Sequence, residues 1–206
     1  LRAQDIDLMD TQHLNKLDEQ IVQKYFAENI RPLLSPQIVD RQHPFPFLKN
    51  KEQFILTVLE DKEKDKSKDK SETKGDNLKL GIVSFSHLPP YFIFTLNQRR
   101  RVLFTADIIL FCAQKLYGKQ KVVEKHVMRV TRNADIDVKE GMMDHDIDYR
   151  EIMTELLKRR RKLAAVRLQI TPAPAPEVER LLCNRLLLTH KRVFEQKSPL
   201  DLSFFY

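Results

Sequence analysis

Glycine is scarce in this chain, with 4 residues among 206. None of the four opens the G-x-x-x-x-G-K-[ST] or G-x-G-x-x-G pattern that binds phosphates through backbone amides, so a nucleotide-binding loop is excluded. No uninterrupted apolar run reaches the ~18 residues that a membrane-spanning helix needs. No secretory signal is visible in the first ten residues, LRAQDIDLMD. Because the sequence does not begin with Met, we expect it to be a segment of a longer polypeptide.

Cysteine is also rare. The two cysteines, Cys112 and Cys183, each lie inside an apolar helical pattern. Neither has visible partners for a disulfide or a metal site, so both are predicted to be buried free thiols. A reducing, cytoplasmic setting follows from this usage.

Charge is abundant but unevenly distributed. The segment 60–76, EDKEKDKSKDKSETKGD, holds six lysines and seven acidic residues, whereas the whole chain carries a net charge of +7. The remaining residues therefore have an excess of +8, which favours polyanionic partners. The segment itself has too few apolar residues to pack, so it is predicted to be a charged flexible insertion.

The hydrophobic periodicity predicts an α+β domain, in which a mixed or antiparallel sheet packs with about four helices. A long leading helical segment occupies 1–33, and its helix runs over 10–31 with Asp10 or Thr11 as the cap. The other predicted helices cover 105–117 (capped by Thr105), 146–161 and 176–187. The predicted strands cover 53–59, 78–85, 91–96, 119–132, 164–170 and 191–196.

The segment HPFPFL (43–48) connects the first helix to the first predicted strand. Its prolines force an extended path and prevent the helix from continuing. Phe45 and Phe47 alternate with the prolines, so both are predicted to face the core. His43 is predicted to be a hydrogen-bonded part of this corner.

An acidic segment at 144–155 resembles a calcium-binding loop in spacing only. Asp144, Asp146, Asp148 and Glu155 occupy ligand positions 1, 3, 5 and 12, but Tyr149 stands where the sharp turn needs Gly. Acidic residues at a helix N-terminus also offset the helix dipole, and this structural interpretation is the preferred one.

Three basic clusters lie at 99–101, 129–132 and 158–162. The third ends a predicted helix, where cations stabilise the dipole by ~0.3–1 kcal/mol each. Five cations in a row exceed what this role needs, so binding of phosphate oxygens is an equally weighted alternative. Aromatic residues do not interleave with the clusters, which argues against a stacking platform for RNA.

Five motifs occur in order along the chain. They are HPFPFL (43–48), LPPYF (88–92), RVTRNADIDV (129–138), KRRRKLAAVRLQI (158–170) and SPLDLSFFY (198–206). With these motifs, the chain resembles the middle (head) domain of bacterial polyphosphate kinase, the type that works through a phosphohistidine. The resemblance covers nearly the whole chain, 1–206. The departures are LLSPQIVD (33–40), where the family has L-T-P, and FTADII (104–109), where the family is more acidic.

The resemblance implies a reversible transfer of the ATP γ-phosphate to inorganic polyphosphate, with Mg²⁺. In the family this chemistry resides in C-terminal domains with an H-x-K signature, and the middle domain helps to build the dimer and flanks the active-site tunnel. No histidine here is followed two positions later by Lys, so no catalytic, cofactor-binding or metal-binding residue is carried over. The implied partners are the remaining domains of the chain, a second copy or more in a homo-oligomer, and polyphosphate. The implied location is cytoplasmic, with membrane association of the full-length enzyme as an alternative.

The candidate polyphosphate contacts are cations in two of the basic clusters. The first set is Lys158, Arg159, Arg160 and Arg161, and the second is Arg129 and Arg132. Because alternate strand residues face opposite sides, Arg129 and Arg132 are not expected to act together, and one is expected to pair with a carboxylate such as Asp135. A free-standing basic module that binds nucleic acid is the alternative function.

Overall fold

The computed structural model describes residues 6–40, 43–60, 78–133, 164–196 and 199–200. Several predicted features lie outside the described residues: the helix at 146–161, the acidic segment 144–155, the basic cluster 158–162 and residues 61–76 of the charged insertion. Within the described part, no helix is long and apolar enough to cross a membrane.

The strands of the described residues are β1 (Ile6–Leu8), β2 (Gln37–Val39), β3 (Gln53–Leu59), β4 (Lys79–Ser84), β5 (Tyr91–Leu96), β6 (Arg99–Phe104), β7 (Val122–Arg132), β8 (Ala165–Thr171) and β9 (Val193–Glu195). They form two sheets. The larger sheet has the order β2-β4-β3-β7-β8-β9, antiparallel except at its β8–β9 edge. The smaller sheet has the order β1-β6-β5, with β1 parallel to β6. The predicted α+β class is therefore confirmed, with two sheets where one was expected.

Three α-helices pack on these sheets in the described ranges: α1 (Lys16–Tyr25), α2 (Thr105–Phe111) and α3 (Pro176–Leu186). The first continues through a π-helical turn at Phe26–Ile30 and a 3-10 turn at Arg31–Leu33, which gives the long leading helix.

Two of the predicted helix caps are wrong. Asn15 caps α1, because its side chain accepts hydrogen bonds from the backbone N–H groups of the next turn, whereas Asp10 caps a separate 3-10 turn before it. Thr105 begins α2, but its hydroxyl donates to the carbonyl of Pro89 and makes no capping bond.

The larger sheet is buried on both faces. Neighbouring residues of its central strand, Ile55 and Leu56, are completely buried but belong to different cores because successive side chains of a strand point to opposite sides. Leu56 packs in the core that α3 covers, whereas Ile55 packs under α1 and α2. On β7, Met128 likewise packs in the core under α3, and Val127 packs in the core under α1 and α2. The fold therefore has a helix layer on each side of one sheet.

The smaller sheet is joined to α1 by a buried ion pair. Arg101 of β6 donates to the carboxylate of Asp18, which is completely buried in the first turn of α1. Tyr25 of the same helix stacks on Phe92 of β5, with 3.7 Å between the ring centroids. Strand β6 was not predicted, because its first three residues are arginines and were interpreted only as a basic cluster.

The HPFPFL corner is only partly as predicted. Phe45 packs against the core under α3, and His43 is hydrogen-bonded through its Nδ1 atom to Asp40, 2.8 Å away. Phe47 is instead 51% exposed, and the guanidinium of Arg132 lies over its ring, 4.2 Å from the centroid. The core prediction for Phe47 is wrong, because the ring lies at the surface against the guanidinium of Arg132 on β7.

Gly81 of β4 lies directly under the ring of Tyr117. A Cβ atom at this position would come within 2.4 Å of the tyrosine Cζ and Oη atoms and of the Thr57 hydroxyl oxygen. Real Cβ atoms do not approach other atoms so closely, so the backbone of β4 can contact this ring only through glycine.

We predict that Gly81→Ala lowers the free energy of unfolding by about 1–3 kcal/mol, because the added methyl group overpacks a closed site. Chemical denaturation of the purified protein measures this change. In a double-mutant cycle, truncating Tyr117 to Leu should recover part of the loss.

Gly118→Ala is the matched control for this cycle. Gly118 has a positive φ of 58°, and apart from its two chain neighbours no residue has an atom within 4 Å of an added Cβ, so its substitution mainly strains the backbone. The Tyr117→Leu change should therefore not rescue it. Equal rescue at both glycines would contradict a steric origin.

Candidate functional site

The basic cluster 99–101 is largely used to hold the fold together. Arg101 pairs with Asp18, as described above, and Arg99 lies 3.7 Å from the carboxylate of Asp7 on the adjacent strand β1. Arg100 of the same cluster is exposed. Two of the three cations therefore have their charge balanced by structural carboxylates.

Arg129 has a different environment. Its Nε and Nη2 groups both donate to the side-chain oxygen of Gln169, at 3.1 and 3.0 Å. Gln169 is buried and in turn donates to Gln196 at 2.5 Å. Gln53 is the residue opposite Arg129 on the other neighbouring strand, β3. The Gln169 amide orients the guanidinium without neutralising it, and no described carboxylate forms an ion pair with it.

Arg132 is bound differently. Its Nε donates to the carbonyl of Leu48 at 2.8 Å, its backbone N–H donates to Asn50 at 2.9 Å, and its guanidinium covers Phe47. Partial burial lowers the pKa of this arginine from its ordinary value. Because the pKa of arginine is far above neutral, the group keeps its charge. The side chain fastens the HPFPFL corner to the end of β7.

The two arginines of the 129–132 cluster thus have separate contacts. The β7–β8 pairing also shifts its register between Thr131 and Arg132, so simple alternation does not continue through Arg132. The expected partner Asp135 lies outside the described residues, as do Lys158, Arg159, Arg160 and Arg161. Sequence reasoning missed Gln169 and Gln53, because only the strand pairing places them beside Arg129.

All five described histidines have hydrogen-bond partners that tie them to the fold. The buried ring of His126 contacts the carbonyl of Pro172 at 2.9 Å and the carboxylate of Glu124 at 3.2 Å. His13, His43 and His190 each contact a carboxylate at 2.8 to 3.0 Å, and His87 contacts the carbonyl of Leu33 at 3.2 Å. Each described imidazole is therefore held in position by a neighbouring carboxylate or carbonyl group.

A cavity of about 790 Å³ lies between the segment that follows β1, helix α2 and the larger sheet. Asp10, Asp107 and Lys125 supply charged groups to a lining that is otherwise mainly apolar. Burial, and to a lesser degree the nearby charge of Asp10, raises the pKa of Asp107 to about 6. This carboxyl group therefore titrates close to neutral pH.

The fold and these contacts define a mixed α+β module in which an arginine of the main sheet is oriented by an amide and has no ion pair with a described carboxylate. The comparisons identify the family. Residues 18–206 match the family described as the polyphosphate kinase middle domain. The chain belongs to this family.

Curated relatives extend far beyond the matched region. The chain is 31% identical to a polyphosphate kinase of Bacillus anthracis over 98% of its own length, and 28% identical to one of Prosthecochloris aestuarii over 96%. It spans 28% and 27% of these two proteins, respectively. The chain therefore corresponds to little more than a quarter of each relative.

A solved structure has the same fold. The crystal structure of polyphosphate kinase from Porphyromonas gingivalis superposes with a TM-score of 0.66 at 16% sequence identity. The match covers 95% of this chain and 26% of that one. At this identity the likeness establishes the fold.

We predict that Asp107→Asn stabilises the protein at pH 7.5 and has almost no effect near pH 4. The native carboxyl has a pKa of about 6 against 3.8 for the ordinary value, so the folded state binds the proton more tightly than the unfolded state. Stability must then fall as the pH rises through this window, and the asparagine variant escapes the loss. The expected gain at pH 7.5 is about 1–3 kcal/mol. Thermal unfolding at several pH values measures it.

Glu177→Gln is the matched control, since Glu177 is also a first-turn acid but is exposed on α3. Its removal should be neutral or slightly destabilising at pH 7.5, because only a favourable dipole interaction is lost. A pH-independent gain for Asp107→Asn would contradict the assigned titration.

Proposed function

We propose that this chain is the non-catalytic middle domain of an enzyme that reversibly transfers the γ-phosphate of ATP to inorganic polyphosphate. The observation that carries the proposal is the family match over residues 18–206, together with relatives of which the chain spans about 28%. The phosphohistidine, ATP and Mg²⁺ sites of the complete enzyme then lie in polypeptide outside this chain. The absence of an H-x-K pair and of a phosphate-binding glycine loop from the sequence supports this division.

In this enzyme, the domain helps to assemble a homo-oligomer and flanks the tunnel through which polyphosphate passes. Exposed apolar residues on the edge strand β5, Tyr91 and Ile93, support a covered interface at the smaller sheet. The two free, buried cysteines support a reducing compartment, and we place the enzyme in the cytoplasm.

Arg129 is the described residue that best fits a polyphosphate contact. A phosphate chain is a dense line of negative charge, and a guanidinium donates to phosphate oxygens in a fixed planar geometry. Gln169 accepts hydrogen bonds from the Nε and Nη2 groups of Arg129. The Nη1 group of Arg129 makes no hydrogen bond to described residues. The charge is thus oriented, and no carboxylate of the described residues neutralises it, which suits an anion-binding position. Lys158, Arg159, Arg160 and Arg161 remain proposed contacts from the sequence, and Arg132 is a weaker proposal because it fastens the corner at 43–48.

We predict that the complete protein transfers labelled γ-phosphate from ATP to polyphosphate, whereas the 206-residue chain alone does not. The physical reason is that the 206-residue sequence has no H-x-K pair, the signature of the histidine that accepts the phosphoryl group in the family. Incorporation of label into acid-insoluble polyphosphate measures both proteins. Turnover by the repurified chain alone would contradict the non-catalytic role. Binding of nucleic acid, with no transfer by the complete protein, would instead support the free-standing basic module.

We further predict that neutralising Arg129 weakens polyphosphate binding by the complete protein. Arg129→Gln keeps an amide beside Gln169 but removes the charge, and Gln169→Glu keeps the shape but pairs the charge with a carboxylate. Each variant should reduce the slope of log affinity against log salt by about 1, since one phosphate contact is lost. Binding of fluorescent polyphosphate over a range of NaCl concentrations measures the slope.

Arg99→Gln is the matched control, because Arg99 is exposed and already faces Asp7. It should leave the slope unchanged.

In a parallel experiment, replacing Arg159, Arg160 and Arg161 together with Ala should lower the slope by up to about 3, if each contacts a phosphate. Unaltered binding in both Arg129→Gln and Gln169→Glu would remove Arg129 from the proposed path.

A further inference from the structure

The chain doubles back on itself where α3 ends. Leu187 adopts a left-handed conformation with φ of 56°, and the N–H group of Leu188 donates to the carbonyl of Cys183 at 2.9 Å. This is the usual way to satisfy the last carbonyl groups of a helix and to reverse the chain. A 3-10 turn at His190–Arg192 follows, and β9 begins directly after it.

The reversal brings three metal-binding side chains together. Glu179 and Cys183 are four residues apart on α3 and share one side of the helix, because that spacing is close to one turn. The Nδ1 atom of His190 lies 2.8 Å from a carboxylate oxygen of Glu179. The carboxylate oxygen, the thiol sulfur and an imidazole nitrogen all lie within 4.8 Å of one another. Sequence spacing gave no sign of this group, since its members are spread over twelve residues without a C-x-x-C pair.

Cys183 differs from the other buried residues of α3. Val178, Leu181, Leu182 and Leu186 belong to the core between α3 and the larger sheet, whereas Cys183 is 4% exposed but is not part of that core. The thiol is therefore beside the reversed turn that carries His190, rather than packed among the aliphatic side chains of the sheet.

We propose that Glu179, Cys183 and His190 form a zinc-binding site. Zinc accepts this combination of sulfur, nitrogen and oxygen ligands, and three protein ligands leave a fourth tetrahedral position for water. Tetrahedral bonds of about 2.0–2.3 Å place ligand atoms about 3.3–3.6 Å apart. The Glu179 and His190 side chains are 29% and 67% exposed, so the adjustment to this spacing is assigned to them and not to the buried Cys183.

The site shares no residue with the Arg129–Gln169 contact. A bound ion would join α3 to the turn at His190–Arg192, which directly precedes the edge strand β9, and would thereby help to hold β9 on β8. Because zinc would bind the folded state and its ligands are assembled only by the fold, binding should raise the melting temperature.

The test uses the complete protein, stripped of metal and titrated with Co²⁺ and then with Zn²⁺. A thiolate ligand gives Co²⁺ a charge-transfer absorption band in the near ultraviolet, and Zn²⁺ should abolish the band by displacement. We expect Cys183→Ser to remove this band and Cys112→Ser, which alters the other buried thiol of the chain, to retain it. Difference spectra between the variants isolate the contribution of this site.

His190→Gln should weaken Zn²⁺ binding at least about tenfold, as should Glu179→Gln, because even supporting residues of metal sites have effects of this size. His43→Gln is the matched control: His43 is exposed and contacts the Asp40 carboxylate at 2.8 Å, the same distance as in the His190 pair. It should leave Zn²⁺ affinity unchanged. Since His190 is on the surface, its variant keeps the test decisive even if Cys183→Ser fails to fold.

A cobalt band that survives in Cys183→Ser, or Zn²⁺ affinity unchanged in His190→Gln, would overturn the proposal. The cluster would then be a hydrogen-bonded His–Glu pair above a buried thiol. The absorption and Zn²⁺ titrations do not depend on phosphate transfer, so their outcome is separate from that of the proposed function.

Discussion

Burial of β3 on both faces is the constraint on which the rest of the structure depends. Its residues from Phe54 to Leu59 are all buried, so each side of the strand needs its own covering layer. The helix α3 supplies one layer, and α1 with α2 supplies the other. Hydrogen bonds to β4 and β7 satisfy the backbone of β3 on both edges, which allows a strand with so few polar side chains to lie in the interior.

The basic residues of the described part divide according to their partners. Arg101 and Arg99 contact carboxylates and join β6 to α1 and β1, and Arg132 fastens the corner before β3. Among these described residues, Arg129 is held by the Gln169 amide and forms no ion pair with a carboxylate. A net positive charge in the sequence therefore indicates a polyanionic partner only after the structural cations have been set aside.

The buried pair between Asp18 and Arg101 illustrates the cost of such structural roles. One oxygen of Asp18 and the Nε group of Arg101 have no hydrogen-bond partner in the described structure. Desolvation of two charges offsets much of their attraction, so the pair joins β6 to α1 but is weak evidence for net stability.

Local sequence determined the strands β3 and β5, the helix α3 and the α+β class, because their hydrophobic periodicity reflects burial directly. The order of motifs determined the family, which the comparisons confirm over residues 18–206. Strands β1, β2 and β6 were missed, since two are three residues long and the third begins with three arginines. Only the tertiary structure decided that Gln169 orients Arg129 and that His190 reaches Glu179 beside Cys183. Strand pairing brings Gln169 beside Arg129, and the chain reversal after α3 brings His190 beside Glu179. Local periodicity carries no information about either contact.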